Sequence, residues 1–253
     1  MIAWRSVLSF GLLRLAAFLN RASHVCSSAA AGTLRMQELR ERIRRSWQDF
    51  RSGDADIAEG LTSWEKETVE RFFCPGGRVL VVGSGSGREL LALTTMGYRV
   101  IGVEPAAPAS AIARRVLAAR GHPCELIDGF IEDVALAGAF DVIVFSSYTY
   151  GLIPESRRRV DALRKVAAHL AHDGRLVISY WIRGRGTMPA RAVRAMAWMT
   201  RSDWYPEAGD VIGNAQYDHW FTPEEIASEA SSAGLRVVFH GTIRESQVLA
   251  VTR

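Results

Sequence analysis

Lysine, paired cysteines and long uncharged hydrophobic runs are what this 253-residue sequence has least of. Its three cysteines, Cys26, Cys74 and Cys124, are widely spaced and odd in number. They compose neither a zinc-ligand pattern nor a disulfide framework, which excludes a stapled secreted scaffold and suits a reducing cytoplasm. Lysine occurs only at Lys66 and Lys165, so the net charge of +4 rests on arginine. A bias that mild does not by itself indicate a nucleic-acid partner. The apolar run from Val7 to Leu19 is broken by Arg14, so it fits a transmembrane helix poorly. What remains is an ordinary globular composition, 48% hydrophobic and 23% charged, long enough for one α/β domain and an appendage.

Two nucleotide-binding signatures are missing as well, and their absence narrows the richest stretch of the chain. Val79 to Val82 is a β-branched apolar run, as a strand buried on both faces requires. Gly83, Gly85 and Gly87 follow at once, and a helical pattern begins at Glu89 and runs through Leu90, Leu91, Leu93 and Met96. Strand, glycine turn and helix make the first half of a nucleotide-binding βαβ unit, in which glycine allows a tight turn and close ligand approach. A P-loop would need Gly-Lys-Ser/Thr where Gly87-Arg88-Glu89 stands. The dinucleotide fingerprint would need a glycine or alanine where Arg88 or Leu90 stands, so the pattern is Gly-x-Gly-x-Gly. The next apolar run, Tyr98 to Val103, ends on Glu104, whose carboxylate can accept two hydrogen bonds from a ribose diol.

These residues resemble the class I S-adenosylmethionine-dependent methyltransferases, especially the small-molecule enzymes. The resemblance extends from about Gly60 to the C-terminus. Cys124 to Ile127 resembles their third strand, and Gly129-Phe130-Ile131-Glu132-Asp133 their adenine-binding loop. Phe140 to Phe145 resembles the fourth strand with its leading Phe-Asp, and Leu170 to Ser179 the turn into the fifth. The resemblance implies a Rossmann-like, doubly wound α/β fold. Its seven-stranded sheet is mostly parallel with the last strand antiparallel, and it carries N-terminal helices and a helical lid insertion.

It also implies S-adenosylmethionine as cofactor, with S-adenosylhomocysteine as product. The cofactor would be held by Gly83, Ser84, Gly85, Gly87, Glu104, Pro105, Phe130, Ile131, Glu132, Ser146 and Ser147. One departure stands out. Many relatives place an Asp where Phe130 lies, so adenine would be held by stacking or apolar contact and the Ile131 N–H, with Glu132 or Asp133 as replacement acceptor.

Residues 1–35 form an extension for which three readings stay open: an over-long start before Met36, a helix docked on the protein or touching a membrane through residues 4–19, and a signal segment. From Met36, the residues Leu39, Ile43, Trp47 and Phe50 recur at helical spacing with arginines interleaved. Residues 36–75 then read as helices packing one face on the domain, with a polar break at Ser52-Gly53-Asp54 and a cap at Thr62 or Ser63, and the resemblance implies that they cover cofactor and substrate. Residues 76–253 form the methyltransferase domain. Within it, Ala107 to Arg120 and Arg157 to Leu170 read as helices, the second closed by Gly174. Thr222, with Glu225 three residues on, reads as the cap of a further helix, and Leu235 to Val238 and Gln247 to Val251 read as the last two strands.

Ligands in such sheets sit beyond the carboxyl ends of the strands, so Ser146 to Tyr150 borders the expected site of methyl transfer. An insertion from about 182 to 220 sets Arg183, Arg185, Arg191, Arg194 and Arg201 among Met188, Met196, Trp198, Met199 and Trp204, which either bind an acidic or planar acceptor or form a solvated face over a hydrophobic cluster; the resemblance implies a lid over a small organic acceptor. A sulfonium methyl is already electrophilic, so alignment supplies most of the catalysis and no triad is expected. An acceptor of high pKa would need a base, for which His219 and then Tyr148 are candidates, with a weaker claim for His240. The competing readings are a transfer-RNA-type methyltransferase, whose fuller motifs are absent, a nicotinamide oxidoreductase, which the glycine spacing disfavours, and a non-catalytic cofactor-binding partner.

Overall fold

The strand that centres the fold forms where the sequence is most apolar. In a computed structural model describing residues 3–48, 57–184, 190–213 and 216–253, β1 (Arg78–Val82) carries Val79 to Val82 at no more than 5% exposure. Seven strands make one sheet in the order β3-β2-β1-β4-β5-β9-β8. They are β1, β2 (Arg99–Glu104), β3 (Glu125–Asp128), β4 (Phe140–Phe145), β5 (Leu170–Tyr180), β8 (Arg236–Ile243) and β9 (Ser246–Thr252). β1 pairs in parallel with β2 and β4, and β4 in parallel with β5. β9 runs antiparallel to both neighbours, β5 and β8, so the reversed strand lies second from the edge. Strand order changes direction between β1 and β4, which opens a crevice at their carboxyl ends.

The helices in chain order are α1 (Ala3–Thr33), α2 (Met36–Gln48), α3 (Ser63–Phe72), α4 (Arg88–Thr95), α5 (Ala107–Ala119), α6 (Ser156–Ala168), α7 (Ala190–Thr200) and α8 (Pro223–Ser232). Alternation along the strands sends successive side chains to opposite layers. Val79, Val81, Val142 and Val177 pack with Trp64 of α3, Leu90 of α4 and Val116 of α5. Leu80, Val82, Ile143 and Ile178 pack with Leu163 of α6 and Ile226 of α8. Both expected caps form. The Glu65 carboxylate accepts the Thr62 N–H at 2.7 Å, and Thr222 and Glu225 exchange side-chain-to-backbone bonds at 3.2 Å. Gly174 does not close a helix as the sequence suggests. α6 stops at Ala168, and Gly174 lies inside β5, where a Cβ would come within 3.0 Å of the Phe140 carbonyl.

The expected insertion is present, and a bridge between Ile182 and Phe221 closes its base. Besides α7 it contains a two-stranded hairpin, β6 (Asp210–Gly213) with β7 (Gln216–His219), which the sequence does not announce. A third apolar cluster joins this lid to α2 through Met36, Leu39, Ile43, Trp204 and Tyr217. Hydrogen bonds reinforce it: Trp204 Nε1 and Ser202 Oγ donate to the Leu34 carbonyl at 2.7 and 2.8 Å, and the Met36 N–H to Asp203 at 2.7 Å. Phe50, Ser52 to Asp54, Arg185 and Met188 lie outside the described residues, as do the side chains of Trp4, Arg5, Trp47 and Arg191.

Candidate active site

The three glycines after β1 answer to three different constraints. Gly83 has φ +78°, and a Cβ there would fall 2.2 Å from Thr149 Cγ2. Gly87, at φ +93°, would meet Ala113 of α5 at 2.9 Å, so it serves close helix packing. Gly85, at φ +52°, has nothing within 4 Å and is the one beside open space. The turn is pinned to β2, because the Gly83 and Ser84 N–H groups both donate to the Val103 carbonyl at 2.8 and 3.1 Å. Ser84 itself is buried beneath the turn, its hydroxyl without a partner and close to Gly102.

Glu104 ends β2 at the rim of this turn and is only 3% exposed. One carboxylate oxygen accepts the Gly85 N–H and the other the Ala106 N–H, each at 2.8 Å. Burial pushes its carboxyl above the usual value, against those two bonds. A carboxylate has about four acceptor sites, so one on each oxygen remains.

From Glu104 a cleft opens along the carboxyl ends of β1, β2 and β4. Of the sequence-predicted cofactor residues, Gly83, Glu104, Pro105, Phe130, Ile131 and Glu132 line it together. Phe130 lies under the Arg40 guanidinium of α2 at 4.3 Å, and Arg40 also pairs with Asp133. Of the two candidate replacement acceptors, Glu132 therefore faces the cleft, its carboxyl raised by burial, while exposed Asp133 is engaged outside. Arg40 and Ile43 of α2 also line the cleft.

Ser146 and Ser147 lie elsewhere. Both hydroxyls donate to Glu89, and Arg88 bridges Glu89 and Glu65 at 2.7 and 2.6 Å. Burial pushes the Glu89 carboxyl up, whereas Arg88 holds Glu65 below its usual value in spite of burial. Glycine turn, β4 end and α3 are thus tied together by one buried ion network.

Immediately after β4 the backbone enters the left-handed region at two non-glycine residues, Ser147 at φ 43° and Tyr148 at φ 67°. Such conformations cost of order 1–3 kcal/mol each and persist only where surroundings enforce them. Here the Tyr148 N–H donates to Ser179 Oγ and Thr149 Oγ1 to the Val82 carbonyl, each at 3.0 Å. The excursion lays the Tyr148 ring on Trp181 at 4.0 Å, nearly parallel, with Trp64 tilted 6.2 Å away. Trp181 and Ile182 are about half exposed, which makes an aromatic shelf at the carboxyl edge of β4 and β5.

His219 is not at the cleft. It is fully buried on β7, with Nδ1 2.6 Å from Asp210, Nε2 3.3 Å from Glu225, and the ring edge-on to Phe221. Burial and Arg159 oppose its charge, yet the two carboxylates prevail and hold its pKa above the ordinary value. With both nitrogens engaged the ring holds the lid to α8, so the structure corrects the expectation of a base facing the acceptor. His240 is also committed, to the Tyr180 hydroxyl at 2.7 Å.

Sequence reading misses the charged knot around His219. Arg159 of α6 is fully buried and forks onto Glu229 of α8 and Glu207 of the lid, each at 2.7 Å. Tyr150 donates to Glu229 at 2.7 Å and Tyr217 to Asp210 at 2.6 Å. Glu207, Asp210 and His219 approach as metal ligands do, but Arg159 and Ser156 hold Glu207, while Tyr217 and His219 hold Asp210. Asp218, beside His219, has a buried Oδ1 without a hydrogen-bond partner that packs against Gly151, and burial lifts its carboxyl to about 7. These residues are scattered over 80 positions of sequence, and no local pattern announces them.

Residues 79–174 match the family model described as a methyltransferase domain. Among curated proteins, the cypemycin N-terminal methyltransferase of a Streptomyces species is 30% identical over 99 residues, 39% of this chain and 40% of that protein. A protein-L-isoaspartate O-methyltransferase of Methylorubrum populi is 38% identical over 106 residues, 41% of this chain and 45% of that protein. The matches thus span less than half the length of either relative. Among solved structures, the CcbJ methyltransferase from Streptomyces caelestis covers 82% of this chain and 94% of its own, with TM-score 0.61 and 17% identity. The glycopeptide N-methyltransferase MtfA complexed with S-adenosylhomocysteine covers 75% and 89%, with TM-score 0.57 and 18% identity. Sheet order and fold agree with those of these solved structures, and residues 79–174 of the chain match a methyltransferase domain.

Proposed function

We propose that the protein transfers a methyl group from S-adenosylmethionine to an O, N or C atom of a small organic acceptor by in-line displacement. The observation that carries this reading is Glu104. Its carboxylate is fixed by two backbone N–H groups yet keeps an acceptor site on each oxygen, at the rim of a cleft floored by the glycine turn. That geometry suits the two hydroxyls of a ribose. Gly85 leaves open the space that any side chain would fill. Phe130, Ile131 and Glu132 offer an aromatic face, a backbone donor and a carboxyl to an adenine ring, and Arg40 on α2 covers them.

When bound, the cofactor supplies an electrophilic sulfonium methyl, so the chain's task is to orient the acceptor and exclude water. The stacked Tyr148 and Trp181 rings, with Trp64 beside them, support an acceptor with a planar or apolar body. α2 and the lid, welded through Leu39, Trp204 and Tyr217, close the cleft from one side. Where the acceptor must lose a proton, Tyr148 is the sequence-predicted group at this edge of the sheet. Its hydroxyl accepts from Ser246 Oγ at 3.2 Å.

The test is calorimetry with S-adenosylhomocysteine, then an acceptor screen with a labelled methyl donor. Binding that is lost in Glu104→Ala, together with turnover reduced in Trp181→Ala, is the expected pair of results. A folded protein that does not bind S-adenosylhomocysteine refutes the proposal.

A further inference from the structure

The N-terminal two-thirds of α1 stands away from the protein. Every residue from Val7 to Leu19 is exposed, although Val7, Leu8, Phe10, Leu12, Leu13, Leu15, Phe18 and Leu19 are large and apolar; Leu13 is 67% exposed. Monomeric proteins rarely leave so continuous an apolar surface in water. The helix is anchored only toward its C-terminal end, where Ala30 joins the cluster under α2 and Thr200 Oγ1 of α7 donates to the Gly32 carbonyl at 3.3 Å. α7 packs along α1 and carries Trp198, 81% exposed, and Met199, 61% exposed. Tryptophan has the amphipathic ring favoured where water meets lipid.

The charge on these two helices has one sign. The chain has no acidic residue before Glu38, and α7 has none, while Arg14, Arg21 and Arg194 are exposed among the apolar side chains. Arg14 lies over the Phe10 ring at 4.5 Å. Leu8, Leu12, Leu15 and Leu19 recur at i, i+4, i+7 and i+11, which forms one stripe, and Arg14 and Arg21 fall on the far side of the helix. No helix among the described residues is long and apolar enough to cross a membrane.

We infer that α1, with the exposed face of α7, is a docking surface for a membrane bearing anionic lipid, on which α1 lies in the interface rather than spanning it. A second copy of the chain is the competing occupant, because the leucine stripe has heptad spacing. That stripe covers only two heptads, short of a coiled-coil seam, and pairing through it would leave Val7, Phe10, Leu13 and Phe18 in water. Anionic headgroups match the arginines, whereas a second copy would bring only the same positive charge. This inference does not depend on methyl transfer.

The experiment is co-sedimentation of the full chain with vesicles of phosphatidylcholine alone or mixed with phosphatidylglycerol, at low and high salt, beside light scattering without lipid. The expected result is partitioning at least ~10-fold stronger into the anionic vesicles and weakened by salt. Leu12→Glu/Leu15→Glu should abolish it. Arg14→Ala/Arg21→Ala should weaken it about 25-fold, at about fivefold per arginine. Both pairs are exposed, so unfolding temperature should stay at the wild-type value and certifies the fold. Absence of binding, or equal binding to neutral and anionic vesicles, overturns the inference. So does a dimer that Leu12→Glu/Leu15→Glu converts to monomer while vesicles leave the protein in solution.

Discussion

Replacing Glu104 with alanine should separate cofactor binding from folding. In the structure this carboxylate accepts the Gly85 and Ala106 N–H groups at 2.8 Å and retains one acceptor site per oxygen for the ribose hydroxyls. A hydrogen bond to a charged acceptor contributes about 1.5–3 kcal/mol net. Two are lost to the ribose, and water entering the open cleft restores part of them, so the expected net loss is about 2–4 kcal/mol. At 1.4 kcal/mol per tenfold, Kd for S-adenosylhomocysteine should rise roughly 30- to 1,000-fold. Glu104→Gln should fall between, because its amide can accept from only one of the two backbone donors while its NH₂ opposes the other. Calorimetry reads Kd, and circular dichroism with a melting curve certifies the fold. Burial raises the Glu104 pKa, so wild-type affinity should also weaken as pH falls through a midpoint above 4.5, a limb absent from Glu104→Ala. A folded Glu104→Ala protein with Kd within about threefold of wild type would falsify the assignment of this carboxylate to the ribose.

Gly85→Val should eliminate S-adenosylhomocysteine binding in the same titration while the sheet still forms, since its side chain fills the open space beside the turn and meets no protein atom; retained binding would show that the ligand does not pass this turn. His219→Ala should lower unfolding free energy by about 3–5 kcal/mol in denaturant titration, because it leaves Asp210 buried without its ring partner. The folded pKa of His219 is raised, so its contribution should be complete below pH 6.5 and lost as pH rises through the folded value; an unchanged stability in His219→Ala would refute the structural role. Asp218 has the opposite sense for an acid: with a folded pKa of about 7 against 3.8 unfolded, it should make wild-type stability fall from about pH 4 to beyond pH 7. Asp218→Asn should flatten that fall and raise stability at pH 8 by ~2–4 kcal/mol, read from denaturant midpoints across pH.

What the sequence determined by itself is whatever local patterning and one ligand-binding turn encode. The Val79–Val82 run, three glycines and Glu104 specify a buried strand, its turn and the acid that ends the next strand, because burial on both faces and tight turning leave few residue types permissible, while the seven-stranded sheet was legible only through the resemblance. Caps at Thr62 and Thr222 were legible for the same reason: donor and acceptor are three residues apart. Tertiary structure alone decided which glycine stands beside open space, since Gly83 is constrained by Thr149 and Gly87 by Ala113, 66 and 26 residues away. It also decided the role of His219. In sequence this is a free imidazole before an aromatic pair; in the fold, Asp210 and Glu225 take both ring nitrogens and α6 brings buried Arg159 alongside. Desolvation and partnership set what such a group can do, and both depend on contacts between segments far apart in the chain. The exposed helix is the converse case. The apolar stretch of α1 was visible from the first line of sequence, and only its position off the body of the fold gives that stretch a surface to present.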